Sequence, residues 1–291
     1  MPRKTKLRVA LAQVSPKLGN LTSNIDLHCD WVDRARAAGA ELVIFPELSL
    51  TGYILQDLVS DLAIPTSEVS TLHGLLEHSK DIACIFGYVE VSDNFNFYNS
   101  AAYVSEGKIR HIHRKLYLPT YGMFDEKRFF AQGKALRTVQ SSWGDLGILI
   151  CEDLWHPSTI YLLALEGAAT VIVPSCSPGR GVRGEKVFAT SEVWEHLLRV
   201  TAQFHTVYNI YVNRVGFEDG AHFPGGSMVV DPFGKVIAQA KYFEEDLLLC
   251  EIDLEEVRRA RLFTPVLRDE RVELTLRELQ RIAGKRNENQ L

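Results

Sequence analysis

Between Leu7 and Ile252 short apolar runs rich in Val, Ile and Leu alternate with longer segments of helical periodicity. Leu7–Gln13, Leu42–Phe45, Ile82–Val89, Gly147–Cys151 and Thr170–Pro174 are too short for helices and stop at Pro, Gly or polar clusters, so they read as strands. Asn20–Ala38, Thr66–His78, Thr159–Glu166 and Val187–Thr206 lie between them and read as helices. Asn99–Val104 and Ile109–Lys115 form a predicted hairpin around Glu106-Gly107-Lys108. Ile210–Asn213, Ser227–Val230, Val236–Ala240 and Leu247–Ile252 supply further strands, with a tight turn at Asp231-Pro232-Phe233-Gly234. About a dozen short strands with helices interspersed argue for α/β or α+β layers. With no repeat, linker or shift in composition, the expectation is one domain over residues 1–253. A charged, helix-prone tail follows over 254–291, broken at Pro265.

Composition removes several function classes. Net charge is −5 and Lys and Arg form no long run, so nucleic acid has no electrostatic footprint here. No apolar stretch approaches the roughly 18 residues of a membrane helix, and the start, Met1-Pro2-Arg3-Lys4-Thr5-Lys6, lacks a signal core. The five cysteines, Cys29, Cys84, Cys151, Cys176 and Cys250, are odd in number and include no CxxC pair. That pattern suits neither a disulfide framework nor a zinc site, and points to a reducing cytoplasm where thiols stay free.

Three predicted strands end on residues with chemistry. They run into Phe45-Pro46-Glu47, His113-Arg114-Lys115 and Ile150-Cys151-Glu152-Asp153-Leu154-Trp155. In layered sheets ligands collect beyond the carboxyl ends of strands, so Glu47, Lys115 and Cys151 are placed to share one pocket. Alone, each has a bland reading: a solvated charge or a core thiol. Together they make a nucleophile system. An ammonium favours a thiolate, a carboxylate takes the thiol proton, and the ammonium with the N–H after the cysteine steadies an oxyanion. The implied reaction is acyl transfer through a thioester. His156, five residues past Cys151, offers a Cys–His alternative, and His111 and His113 share the strand face of Lys115. With the Glu and Lys segments present, His156 reads better as a rim residue ahead of Pro157. The chemistry needs no metal or cofactor, and no ligand cluster is visible.

In order and spacing the three segments resemble the signature motifs of the nitrilase, or carbon–nitrogen hydrolase, superfamily. The resemblance runs from Leu7 to about Ile252 and includes Gly226-Ser227-Met228-Val229-Val230-Asp231-Pro232-Phe233-Gly234. It implies a Glu47–Lys115–Cys151 triad, with Glu126 in Phe124-Asp125-Glu126-Lys127-Arg128-Phe129-Phe130 as a helper. It also implies a four-layer αββα sandwich that pairs into an eight-layer αββα-αββα homodimer or higher homo-oligomer. The tail after Leu254 either reaches across to the partner or is a solvated terminal helix.

Two stretches, Lys115 through Glu126 and Cys151 through Trp155, are similar to the glutaminase domain of glutamine-dependent NAD synthetases. That likeness implies a small amide, glutamine or a related ω-amide, releasing ammonia to an ammonia-using partner enzyme. It makes Tyr53, Tyr121, Glu152, Trp155 and Ser177 candidate substrate-binding residues. No phosphate-binding Ser-Gly-Gly loop occurs in the 291 residues, so the expectation is a chain that does not make NAD by itself. The stretch from Pro178 to Lys186 departs from that glutaminase pattern. Arg180 or Arg183 within it either grips a substrate carboxylate through a bidentate guanidinium or is a solvent-facing charge. Nitrilase or N-carbamoyl amide hydrolase activity is the alternative within the same triad. A dinucleotide-binding reading rests on Gly179-x-Gly181-x-x-Gly184. It lacks the acidic residue at the end of a second strand about 20 positions on, and is disfavoured.

Overall fold

A computed structural model of the chain describes residues 4–65, 69–183 and 187–288. Two sheets dominate it. The first runs, in spatial order, Asp246–Asp253, Lys6–Gln13, Leu42–Ile44, Ala83–Val91, Phe97–Ser105 and Lys108–Arg114, with Ile64–Pro65 beside Ala83–Val91. The second runs Val236–Gln239, Met228–Val230, Tyr208–Asn213, Thr170–Ser175, Gly144–Ile148 and Val139–Ser141. Each has a parallel centre and antiparallel edges.

Side-chain alternation along Lys6–Gln13 shows how the layers form. Leu7, Val9 and Leu11 enter one core with Ile148, Val171, Val173, Ile210 and Val212 of the second sheet. Ala10 and Ala12 enter another with Trp31, Val32 and Ala35 of the helix Leu21–Ala37. The helices Pro157–Glu166 and Ala189–His205 cover the second sheet through Ile160, Leu163, Trp194, Leu198 and Ala202. The result is helix, sheet, sheet, helix: the expected αββα sandwich. Local signals agree, since Asn20 caps Leu21–Ala37 by accepting the Ser23 N–H. Gly167, at φ +113, closes Pro157–Glu166 as a left-handed cap.

Several expected elements shift. The helix expected over Thr66–His78 is a 3-10 turn, Val69–Leu72, and a short helix, His73–His78; residues 66–68 lie outside the described residues. The long helix begins at Ala189, because Val187–Phe188 pairs with Val182–Arg183 instead. Beyond the second sheet, Glu255–Phe263 docks with Val257 and Ala260 buried and Arg261 donating to the Ala168 carbonyl at 2.7 Å. The last helix, Val272–Glu288, leaves Leu276, Leu279 and Ile282 exposed.

Candidate active site

Glu47 follows the strand Leu42–Ile44 and Pro46, whose missing N–H ends the ladder. The Glu47 backbone crosses the neighbouring strand at Gly87, where a Cβ would stand 2.2 Å from the Leu48 nitrogen. Only glycine permits that approach, so the sheet itself holds the glutamate in place. Its carboxylate is buried. Oε1 accepts from Lys115 Nζ at 2.6 Å and Asn99 Nδ2 at 2.7 Å, and Oε2 accepts the Cys176 N–H at 2.8 Å.

Lys115 leaves the strand Lys108–Arg114 and is equally buried. Its ammonium bridges two carboxylates, donating to Glu47 and, at 2.7 Å, to Glu126 Oε1. The Tyr53 hydroxyl donates to that same Glu126 oxygen at 2.6 Å. Burial alone would pull the Lys115 ammonium down, but Glu126, Glu47 and the Cys151 sulfur outweigh it and hold it well above its usual value. Two buried carboxylates against one cation leave a surplus of negative charge. Burial pushes Glu126 up to about 7, Lys115 opposes that shift, and Glu47 adds to it.

Cys151 does not end a strand as the sequence suggests. The ladder stops at Ile148, and Cys151 opens the 3-10 turn Cys151–Trp155 at φ +46. A left-handed cysteine costs about 1–2 kcal/mol, and such strain persists only where the surroundings impose it. Asp153 imposes it here. Its buried carboxylate accepts the Ile150 N–H at 3.0 Å across the turn and the His113 imidazole N–H at 2.9 Å. It also accepts the Leu116 and Tyr117 N–H groups, both at 2.9 Å. One carboxylate thus ties the Cys151 turn to the segment leaving Lys115. Asp153 was visible in the sequence as a charge two residues past the cysteine, but nothing there showed its partners.

The Cys151 thiol is held well above its usual value, first by burial, then by Glu47; Lys115 opposes and Glu126 reinforces the shift. Burial and the paired carboxylates thus act against the thiolate that the Lys115 ammonium favours. His156 stacks on Tyr117, centroids 3.4 Å apart and planes 9° from parallel, at the start of the helix Pro157–Glu166.

Cys151 opens into a cavity of about 240 Å3 whose wall includes Tyr121, Glu152, Trp155, Ser177 and Arg180. Tyr121 donates to Glu152 Oε2 at 2.8 Å. Trp194 Nε1 donates to Ser177 Oγ at 2.6 Å, while Trp155 meets Trp194 edge-on at 5.5 Å. The Arg180 guanidinium lies 5.3 Å from the Phe124 ring centre. Tyr53 stands apart from this wall. It faces a second cavity of about 430 Å3, shared with Phe124 and Glu126, and its hydroxyl is engaged by Glu126. The Arg183 side chain lies outside the described residues, as does Gly184 of the glycine pattern. The helix that follows that pattern starts only at Ala189, after the Val182–Arg183/Val187–Phe188 ribbon, rather than directly on the glycines. Among the described residues no group of three or more His, Cys, Asp or Glu side chains stands where it could hold a metal ion. None of their helices is long and apolar enough to cross a membrane.

A four-layer sandwich with a buried Glu–Lys–Glu cluster beside a strained cysteine defines a class, and the sequence comparison agrees. Residues 8–262 match the carbon–nitrogen hydrolase family, and the chain belongs to it. It is an enzyme that hydrolyses carbon–nitrogen bonds. Over 252 residues it is 34% identical to the glutamine-dependent NAD(+) synthetase of Acinetobacter baylyi, covering 86% of this chain and 45% of that protein. The chain thus spans about half the length of this relative. Among solved structures, the carbon–nitrogen hydrolase of Helicobacter pylori G27 is similar, with a TM-score of 0.85 and 26% identity over 94% of this chain and 98% of that one. A variant of the amidase from Nesterenkonia sp. AN1 has a TM-score of 0.79 and 25% identity, covering 95% and 98%. In that structure the acetamide moiety of fluoroacetamide is covalently added at the active-site cysteine.

Proposed function

We propose that the chain hydrolyses the side-chain amide of glutamine or a related ω-amide, with Cys151 as nucleophile. The observation that supports this most is the buried Lys115 ammonium clamped between Glu47 and Glu126 beside Cys151. Cys151 Sγ attacks the amide carbon as Glu47 takes the thiol proton. Lys115 and the Glu152 N–H stabilise the oxyanion, a contribution of about 3–4 kcal/mol per donor. Glu47 then protonates the departing nitrogen, ammonia leaves, and Glu47 activates the water that converts the thioester to a carboxylic acid. Burial and the flanking carboxylates disfavour a bare thiolate, so the negative charge forms best when a substrate carbonyl is present to receive it.

The cavity wall supports this substrate class. Glu152, with Tyr121 bound to it, is chemically suited to an α-ammonium group, and Arg180 to an α-carboxylate. Arg183 is a second candidate for the carboxylate. Trp155 and Ser177 flank the chain between them. The name of the Acinetobacter baylyi relative, a glutamine-dependent enzyme, supports the same class. Ammonia produced here would feed an ammonia-using partner. Leu162, Val193, Val200 and Phe204 are exposed on the outer helices Pro157–Glu166 and Ala189–His205. We assign them to an isologous interface that completes an eight-layer homodimer. All five thiols are free, which suits the reducing cytoplasm. The test is ammonia release from a panel of ω-amides, nitriles and N-carbamoyl compounds by the purified protein. Turnover of glutamine or a close ω-amide is expected. Turnover confined to nitriles or carbamoyl compounds overturns the substrate class, and no turnover of any overturns the reading.

A further inference from the structure

The hairpin Val215–Glu218/Ala221–Pro224 contributes nothing to the wall of the Cys151 cavity, yet it grips the segment that bears Tyr53. Glu218 is buried, and its Oε1 accepts the N–H groups of Tyr53 at 2.8 Å and Ile54 at 2.7 Å. Its Oε2 accepts from the Arg214 guanidinium, which is buried with it and lies 4.5 Å from the Phe223 ring centre. Phe223 in turn meets the Tyr53 ring edge-on at 6.3 Å. Gly52, at φ +84, passes so close that a Cβ would stand 2.9 Å from Glu218 Oε2. Backbone and ring of Tyr53 are thus both clamped by one hairpin.

A buried ion pair is a poor source of stability, because desolvating two charges consumes most of their attraction. Two backbone N–H groups would also be satisfied by a neutral acceptor. What the charged pair adds is a fixed position for Tyr53, whose hydroxyl reaches Glu126. We propose that Glu218 is a positioning residue for amide hydrolysis: by holding the Tyr53 backbone it keeps the Tyr53 hydroxyl on Glu126 and so sets the proton balance of the Lys115–Glu126 pair. This rests on the role proposed above for the Glu47–Lys115–Cys151–Glu126 cluster. Glu126 is faced by Lys115, Glu47 and Tyr53, and its charge acts on Cys151. Its Oε2 has no hydrogen-bond partner among the described residues, so the bond from Tyr53 is not readily replaced. Losing that donor disfavours ionised Glu126 and moves its titration to higher pH.

The test compares Glu218→Gln, Tyr53→Phe and the double variant on an amide that the wild type turns over. On the low-pH side of the Glu126 limb, Glu218→Gln is expected to lower kcat roughly tenfold to a hundredfold, the scale on which misplaced catalytic groups fail, with KM unchanged. The limb of the pH profile set by Glu126 should move up in both single variants. The double variant should be no slower than Tyr53→Phe alone. Losses that multiply, or a slower Glu218→Gln with an unmoved limb, overturn the proposal. If Glu218→Gln does not fold, Phe223→Leu loosens the same clamp without stranding a charge and should move the limb in the same direction; an unmoved limb there overturns it. A wild type without amide turnover, or a pH profile unchanged by Glu126→Gln, removes the underlying reading and this proposal with it. An active wild type with a Glu126-dependent limb and a Glu218→Gln variant indistinguishable from it removes this proposal alone.

Discussion

Asp153→Asn separates the support of the nucleophile from the nucleophile itself. Four donors converge on the Asp153 carboxylate: the N–H groups of Ile150, Leu116 and Tyr117 and the His113 imidazole. The carboxamide of asparagine keeps one acceptor oxygen, which can retain Leu116 and Tyr117. Its NH2 then faces the Ile150 N–H, donor against donor, while His113 can present its other tautomer and accept. One buried N–H is orphaned, at about 1–3 kcal/mol, and two bonds lose their charge assistance. The sum is about 2–4 kcal/mol, or a fall of roughly 3–7 °C in Tm for a chain of this size. Because Ile150 precedes the strained Cys151, the turn should also relax. Urea unfolding gives the stability, and the rate of iodoacetamide alkylation of Cys151 reports the turn. Asp153→Asn should be less stable by that amount, slower in turnover, and altered in its alkylation rate. A variant as stable as the wild type with the same alkylation rate would show that Asp153 does not hold the turn.

Three other perturbations probe separate parts of the site and fold. Above pH 7 ionised Glu126 adds a negative charge beside Cys151, so kcat/KM should fall through about pH 7, and Glu126→Gln should abolish that limb while lowering the rate. His28, buried against Asn24 and Ser49, is lowered by burial from 6.5 to about 4. Its contribution is therefore complete above pH 6.5 and lost as pH falls towards 4. That loss amounts to about 3 kcal/mol, which urea titrations of the wild type should show and those of His28→Gln should lack. Arg180→Ala and Arg183→Ala, assayed in parallel, should raise KM for a carboxylate-bearing amide but not for its uncharged analogue; equal effects on both substrates would exclude carboxylate binding.

The chemistry of the site was legible in the sequence because each reactive residue follows a strand. Phe45-Pro46-Glu47 and the run ending at Lys115 announce both the strand and its end. The Cys151 turn was not legible. Gly147 to Ile150 is an unbroken apolar run, and only the pairing of Ile148 with Ile172 shows where the ladder stops. The hairpin Val215–Glu218/Ala221–Pro224 carries a local signal in its turn. Asp219-Gly220, at φ +45 and +78, is the two-residue type I′ turn that the Asp-Gly pair favours. What no local pattern could give is contact at long range. Glu218 meets Tyr53 across 165 positions, and Cys176 meets Glu47 across 129, because the two sheets bring their strand ends together. The likeness to the glutaminase domain makes Tyr53 a candidate substrate-binding residue; the partner of its hydroxyl, Glu126, is one that only the fold supplies.

The most direct test is mass spectrometry of the protein quenched during turnover of glutamine or whichever ω-amide it accepts. A single acyl adduct is expected on the peptide containing Cys151, formed as ammonia is released, and neither adduct nor ammonia from Cys151→Ala. Ammonia release that persists in folded Cys151→Ala, with no adduct in the wild type, would contradict Cys151 as the nucleophile.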